Sequence, residues 1–228
     1  NQSQISASHL LTILNNVLDT AKIASGDMEI EQKPFSPGSL AYNAHSIMYS
    51  QAKNKGLDLK IYVNPEIAAV LKGDETRLRQ VLINLLGNAI KFTDTGSVKL
   101  SVDCTETTDH YQKVLFQVID TGVGMSEEFV SKVFDKFSQE QDSSNRKYEG
   151  TGLGMSISND LVKLMGGKIT ASSEKGEGTT CQFKLELPIG KFDSLDSIDT
   201  EIKADSFTGK KALLVEDFEM NRFIAKQS

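Results

Sequence analysis

Asp74-Glu75-Thr76-Arg77-Leu78-Arg79-Gln80-Val81-Leu82-Ile83-Asn84-Leu85-Leu86-Gly87-Asn88-Ala89-Ile90-Lys91-Phe92 decides how this chain folds. Leu78, Val81, Leu82, Leu85, Leu86 and Ile90 recur at the spacing of one helix face. Asp74 stands where a side chain can accept the first free backbone N–H groups. A helix from Asp74 to about Phe92 follows. Beside its apolar stripe, Asn84, Asn88 and Lys91 occupy i, i+4 and i+7, so one face carries two amides and an ammonium. Alone, that triplet fits a solvated face as well as it fits a site.

The pattern continues outward on both sides. Upstream, Met28 to Lys33 reads as a short strand and Gly38 to Lys55 as a helix. Leu57 to Val63 reads as a strand with Leu57, Leu59, Ile61 and Val63 on one face. Downstream, Val98 to Cys104 and Val114 to Asp120 read as strands joined through the polar stretch Thr105 to Lys113. A short helix from Glu127 to Val133 and an aperiodic polar loop from Ser138 to Gly150 come next. A helix from Leu153 to Met165 ends at Gly166-Gly167, and strands Lys168 to Ser173 and Thr180 to Leu187 complete the unit. Strands and helices without regular βαβ alternation predict an α+β two-layer sandwich over residues 28–190.

Flanking segments differ in character. In residues 1–27, Leu10, Leu14, Val17, Ala21 and Ala24 make a short heptad seam on a single long helix ending near Ser25-Gly26-Asp27, a helix that asks for a partner. Residues 191–208 set Asp193, Asp196, Asp199, Glu201 and Asp205 against Lys191 and Lys203, the composition of an acidic linker. Residues 209–228 open with Leu213-Leu214-Val215-Glu216-Asp217, a buried-type strand ending in two acids, and are too few to bury a core of their own.

Composition narrows the function classes. With 25 basic against 31 acidic side chains, a net charge of −6 and a pI near 5.2, the chain lacks the cationic footprint of a nucleic-acid binder. Neither nucleic acid nor anionic lipid is expected as a partner. No apolar run approaches the ~18 residues of a membrane span. Cys104 and Cys181 lie far apart in apolar strand-like stretches and read as two buried thiols of a reducing compartment. Asn1 to His9 is polar, without the pattern of a signal peptide, and a chain that starts mid-pattern without Met reads as a fragment.

Two glycine turns supply the chemistry that the asparagine face lacks. In Asp120-Thr121-Gly122-Val123-Gly124-Met125 a strand runs into an acid and two glycines. Backbone can there approach a flat ligand, and a carboxylate can accept from the exocyclic amine of adenine, whereas guanine would present a carbonyl oxygen. Gly150-Thr151-Gly152-Leu153-Gly154 opens a helix whose free N–H groups and positive dipole end suit phosphates. Neither turn matches a P-loop or a dinucleotide fingerprint, because Gly166-Gly167-Lys168 leads into a strand and no Gly-x-Gly-x-x-Gly lies in a βαβ unit.

The order of the pieces carries a resemblance. The stretch from Asp74 through Asn84, Asn88, Lys91, Phe92 and Thr93 is followed by Asp120-x-Gly122-x-Gly124, then by Phe134-x-x-Phe137. Arg146-Lys147-Tyr148-x-Gly150-Thr151-Gly152-Leu153-Gly154 and Gly176-x-Gly178-Thr179 come after. Over residues ~33–190 this resembles the catalytic ATP-binding domain of sensor histidine kinases, with its N, G1, F, G2 and G3 boxes in order. The resemblance implies the Bergerat sandwich shared with gyrase, Hsp90 and MutL ATPases, with ATP and Mg²⁺ as cofactors. It implies that Asn88 ligates Mg²⁺ with Asn84 close by, that Lys91 touches phosphate and that Phe92 lies beside the nucleotide. Asp120 would read the adenine amine, with Gly122 and Gly124 permitting its approach. Gly152 and Gly154 would cradle phosphates, and Arg146 would contact the γ-phosphate. Phe134 and Phe137 would anchor a lid, and Met125, Phe137, Thr151, Leu153 and Thr179 would complete the nucleotide contacts.

Gyrase-like and MutL-like ATPases resemble one another in placing a water-activating glutamate one turn before the metal-binding asparagine. Here that position is Asn84, and a neutral amide cannot act as a base, which favours phosphotransfer over hydrolysis. A same-fold ATPase clamp and a degenerate nucleotide-sensing module are the competing readings. None of His9, His45 and His110 stands in the acceptor context of a histidine kinase, so the acceptor histidine is expected upstream, on a dimerisation hairpin whose second helix is residues 1–27. Residues 209–228, with Glu216 and Asp217, are similar to the start of a receiver domain, whose acceptor aspartate would follow. The resemblance thus implies a homodimeric hybrid histidine kinase, placed in the cytoplasm and anchored to a membrane through upstream segments.

Overall fold

The computed structural model describes residue 14 and residues 17–140 and 152–191. Residues 17–25 are helical and turn at Gly26, whose φ of 77° suits a residue without Cβ. Leu14, Val17 and Leu18 are about half exposed on this segment. Asp19 faces the other way: its Oδ1 accepts from Arg77 Nη1 at 3.2 Å and its Oδ2 from Gln80 Nε2 at 2.7 Å, which pins the segment to the helix that carries the asparagines. The rest of residues 1–27, and residues 192–228 with Glu216 and Asp217, lie outside the described residues.

The domain follows with strand β1 (Lys33–Phe35), helix α1 (Pro37–Asn54), β2 (Asp58–Val63), β3 (Leu71–Gly73) and helix α2 (Glu75–Phe92). Then come β4 (Ser97–Thr107), β5 (Tyr111–Asp120), the short α3 (Glu127–Val130), α4 (Gly154–Leu164), β6 (Lys168–Glu174) and β7 (Gly178–Pro188). Five strands form one sheet in the order β2-β4-β5-β7-β6, parallel between β2 and β4 and antiparallel elsewhere. β1 and β3 pair separately and antiparallel. Helices α1, α2 and α4 bury their apolar faces with one face of the sheet in a single core, the expected two-layer α+β arrangement.

Local chemistry explains where the helices start. Ser36 caps α1 by accepting from Ser39 N at 3.3 Å, and Pro37 occupies the first turn, where a missing N–H is harmless. Asp74 caps α2 with Oδ1 accepting from Arg77 N at 3.0 Å, while Oδ2 accepts from Glu31 N at 3.2 Å. That second bond fastens the segment before β1 and holds Asp74 buried.

Four expectations need correction. The first strand is not Met28–Lys33 but Lys33–Phe35, because Phe35 is the side chain that enters the core and β3 offers its edge only to residues 33–35. The β4–β5 connection is a tight turn of residues 108–110 rather than the stretch Thr105–Lys113, since the polar residues of that stretch continue the ladder around an irregularity at Cys104/Glu106. The Glu127–Val133 helix keeps only Glu127–Val130. Cys104 and Cys181 are half-buried rather than buried.

Candidate functional site

Strands β5 and β7 carry one face of the site by simple periodicity. Phe116 pairs with Phe183, Val118 with Cys181 and Asp120 with Thr179, three successive rungs on the same side of the sheet. The lowest rung is core, its rings stacked with centroids 4.9 Å apart. Going up the ladder, Val118 and Cys181 reach the floor of a cavity and Asp120 and Thr179 reach its wall, so the chemistry changes from aromatic to carboxylate within three rungs. The cavity has a volume of about 1270 Å³, and α2 and the start of α4 close its other sides. That is ample for a nucleotide.

Asp120 is held by backbone. Its Oδ1 accepts from Gly122 N at 2.9 Å and from Thr179 N at 3.2 Å, and no described residue hydrogen-bonds Oδ2. Burial raises the carboxyl above its ordinary value, and the two backbone hydrogen bonds pull it partly back. Glycine is required around it for space. A Cβ on Gly122 would overlap the Phe92 carbonyl oxygen, and one on Gly178 would overlap the Asp120 carbonyl oxygen. At Gly124, with a φ of 63°, it would overlap the Glu174 carbonyl oxygen. Met125 N donates to Ser173 Oγ at 2.8 Å, and that hydroxyl lies 2.9 Å from Thr179 Oγ1.

On α2 the two amides differ. Asn84 Nδ2 donates to Ser158 Oγ at 2.7 Å, and a Cβ on Gly154 would overlap Asn84 Oδ1, so Asn84 joins α2 to α4. Asn88, one turn on, lines the cavity, and its amide makes no hydrogen bond with a described residue. Lys91 Nζ lies 4.9 Å from the Phe92 ring centroid, and burial lowers its pKa. Among the described residues no side chain caps α4, and its first residues, Gly154 and Met155, line the cavity.

The cavity brings together Asn84, Asn88, Lys91, Phe92, Asp120, Gly124, Met125, Gly152, Gly154 and Thr179 of the residues expected from the sequence. Gly122 lies behind Asp120. Leu153 turns into the core, 6% exposed, because its side chain belongs to the apolar face that α4 buries. Phe137 is away from the cavity: its φ of 63° directs the ring outward, 72% exposed, while its N–H donates to Gly152 O at 3.1 Å. Phe134 packs part-buried on the core. Arg146 and Thr151 lie outside the described residues.

Several cavity residues carry no site signal in the sequence, Val118, Ser158, Cys181 and Lys55 among them. Cys181 was read as core, but the β5–β7 register lifts it to the cavity floor, and burial pushes its thiol up to about 12. Lys55 also lines the cavity, from the end of α1. Its only sequence signal is a lysine at a helix end before Gly56.

Comparisons with known proteins give the family and the fold. Residues 73–189 match the family described as histidine kinase-, DNA gyrase B- and HSP90-like ATPase. The chain is 34% identical over 226 residues to the autoinducer 2 sensor kinase/phosphatase LuxQ of Vibrio cholerae, covering 97% of this chain and 26% of that protein. It is 38% identical over 187 residues to hybrid signal transduction histidine kinase B of Dictyostelium discoideum, covering 82% of this chain and 9% of that one. The chain therefore spans about a quarter or less of the length of these curated relatives. A crystal structure of full-length ShkA in complex with AMPPNP matches with a TM-score of 0.71 at 30% identity, over 81% of this chain and 37% of that one. The catalytic domain of histidine kinase ThkA matches with a TM-score of 0.57 at 28% identity, over 71% and 97% respectively. With the matched segment running from β3 to the end of β7 and holding every described residue of the cavity's strand wall, the chain belongs to the histidine kinase-, DNA gyrase B- and HSP90-like ATPase family.

Proposed function

We propose that this chain is the ATP-binding catalytic part of a hybrid sensor histidine kinase, presenting the γ-phosphate of Mg²⁺-ATP to a histidine for relay to a receiver aspartate. The observation that carries the reading is Asp120. Its Oδ1 is saturated by two backbone N–H groups, which leaves Oδ2 to accept from an adenine amino group. A guanine would set a carbonyl oxygen against that carboxylate. Phe92, Val118 and Met125 supply apolar surface for the base, Lys91 stands toward the phosphates, and Gly152 and Gly154 open the amino end of α4 to them.

The donor set fits Mg²⁺. Among the described residues no group of three or more His, Cys, Asp or Glu could hold a metal, whereas Asn88 offers one amide oxygen at the cavity. A cation that keeps several waters and takes its other ligands from phosphate needs no more than this from protein. When bound, Mg²⁺ neutralises charge on the phosphates. Asn84, whose amide donates to Ser158, offers no base for activating water, which supports transfer over hydrolysis. His45 Nε2 is engaged with Leu59 O at 3.1 Å, and neither His9 nor His110 has the sequence context of an acceptor, which supports an acceptor histidine on another segment of the full protein, with the dimerisation hairpin and the receiver aspartate as its partners. Among the described residues no helix is long and apolar enough to cross a membrane, and anchoring of the parent receptor falls to other segments of it.

Calorimetric titration with ADP and a non-hydrolysable ATP analogue, with and without Mg²⁺ and with GTP as control, tests the site. Adenine-selective, Mg²⁺-assisted binding is expected, and no binding overturns the reading. Transfer is tested by mixing the chain with kinase-dead full-length protein, shown to form no phosphohistidine by itself, that keeps its acceptor. Phosphohistidine on the longer chain is expected.

A further inference from the structure

We infer that Lys55 is a positioning residue for the nucleotide site, an ammonium clamp that holds the carboxyl end of α2 and with it Lys91 and Phe92. The inference rests on the nucleotide reading and adds a residue to it.

A helix leaves its last four carbonyls without intrahelical partners, and they carry the negative end of its dipole. In α2 each of the four has a named donor. Ala89 O accepts from Thr93 Oγ1 at 2.7 Å, Ile90 O from Lys55 Nζ at 2.9 Å, Lys91 O from Lys55 Nζ at 2.8 Å and Phe92 O from Val123 N at 3.1 Å. Lys55 Nζ also donates to Thr93 O at 2.9 Å, so three protons meet three carbonyls of one turn. The ammonium lies 3.6 Å from Asp94 Oδ1 as well.

Lys55 can do this because its own backbone is fixed. It is the C-cap of α1, and Gly56 follows with a φ of 73°, donating to Lys53 O at 3.0 Å while Leu57 N donates to Ala52 O at 3.0 Å. A side chain anchored on α1 thus reaches across to α2. The turn it holds is also a site wall: Phe92 O, between the Lys91 and Thr93 carbonyls that Lys55 grips, receives the Val123 N–H, and a Cβ on Gly122, behind Asp120, would overlap it. Release of this turn would let Lys91 and Phe92 drift from the base-reading wall. An ammonium suits the place because it is a compact charge with three rotatable donors at the negative end of a helix.

The test uses the whole 228-residue chain. Hydrogen exchange at the Val123 amide, read by NMR without nucleotide, is expected to quicken about tenfold or more in Lys55→Met as the turn it bonds loosens. ADP affinity is expected to fall about tenfold in the same variant, yet to change less than about twofold when Lys55→Met is added to Lys91→Met, since the two act as one unit. Should Lys55→Met not fold, Lys55→Gln, which keeps two donors, is read the same way. Unchanged Val123 exchange, or losses that simply add, overturns the clamp while leaving ADP binding by the wild type intact. A wild type that binds no ADP overturns the nucleotide reading and the binding consequence together.

Discussion

At the strand end of the cavity, glycines meet backbone. A Cβ on Gly122, Gly124 or Gly178 would overlap a main-chain carbonyl oxygen, of Phe92, Glu174 and Asp120 respectively. At the helix end, a Cβ on Gly154 would instead overlap the amide of Asn84, a side chain held by Ser158. The strand end is therefore joined main chain to main chain, whereas the helix end adds to the main-chain contact of Gly152 with Phe137 a side-chain joint, that of Gly154 with Asn84. Backbone contacts cannot adjust without moving strands, whereas a side-chain joint yields locally. A base-reading carboxylate needs fixed geometry, and the strand end supplies it.

Gly124→Ala tests this difference most severely. The substitution demands a positive φ of an L side chain and drives it into the Glu174 carbonyl, so a loss of about 3–5 kcal/mol is expected from strain and overlap together. Chemical denaturation of both proteins measures it. A loss below about 1 kcal/mol would show that the strand end yields as readily as the helix end.

Asp120→Asn acts on binding rather than on the fold. Asparagine Oδ1 still accepts from Gly122 and Thr179, but an amide group replaces the acceptor facing the base. Adenine nucleotide binding should weaken by ~1.5–3 kcal/mol, roughly 10- to 150-fold. Proton linkage gives a second reading. Burial raises the folded carboxyl above its ordinary value, so between the two values the folded chain holds a proton that the unfolded chain has lost. Asp120 therefore contributes most at low pH and lowers stability as pH rises through the raised value. Accepting from an amine requires the ionised form, so nucleotide affinity should fall as pH drops through that raised value. The variant should lose this pH dependence and be no less stable at neutral pH. Titrations at several pH values, with thermal melts, check both signs.

Much of this was legible in the sequence because α2 carries its own signals. The apolar stripe sets its faces, Asp74 marks its start and the asparagine spacing marks its site side. Alternation in β5 and β7 likewise made Asp120 a strand end. What was hidden depends on pairing across the chain. β3 has three residues, too few for a period, and exists because β1 offers an edge. Cys181 belongs to the cavity only because its register partner is Val118. Lys55 is legible in the sequence only as the last residue of a helix, and its role appears when α1 and α2 lie side by side. Phe137 was misplaced for a backbone reason, a positive φ that its sequence does not announce.

Gly176→Ala is the matched control for Gly124→Ala. Its φ is 87°, as left-handed as that of Gly124, but nothing lies within 4 Å of an added Cβ. The cost should be conformational alone, about 1–2 kcal/mol. The difference between the two variants then isolates the overlap with Glu174.

Ser158→Ala probes the joint at the helix end and should show the smallest effect. Ser158 is 2% exposed and its hydroxyl accepts the Asn84 amide at 2.7 Å, so the variant loses one neutral hydrogen bond. Asn84 lines the cavity, where water can replace the lost partner, which keeps the expected loss to about 0.5–1.5 kcal/mol. Denaturation measures the stability term, and calorimetry with ADP measures whether the loosened joint reaches the site. Stability should fall while ADP affinity changes less than about threefold, because Asp120 and its backbone donors are untouched. An affinity loss as large as that of Asp120→Asn would mean that the helix end holds the nucleotide as rigidly as the strand end, and the contrast between the two ends would collapse.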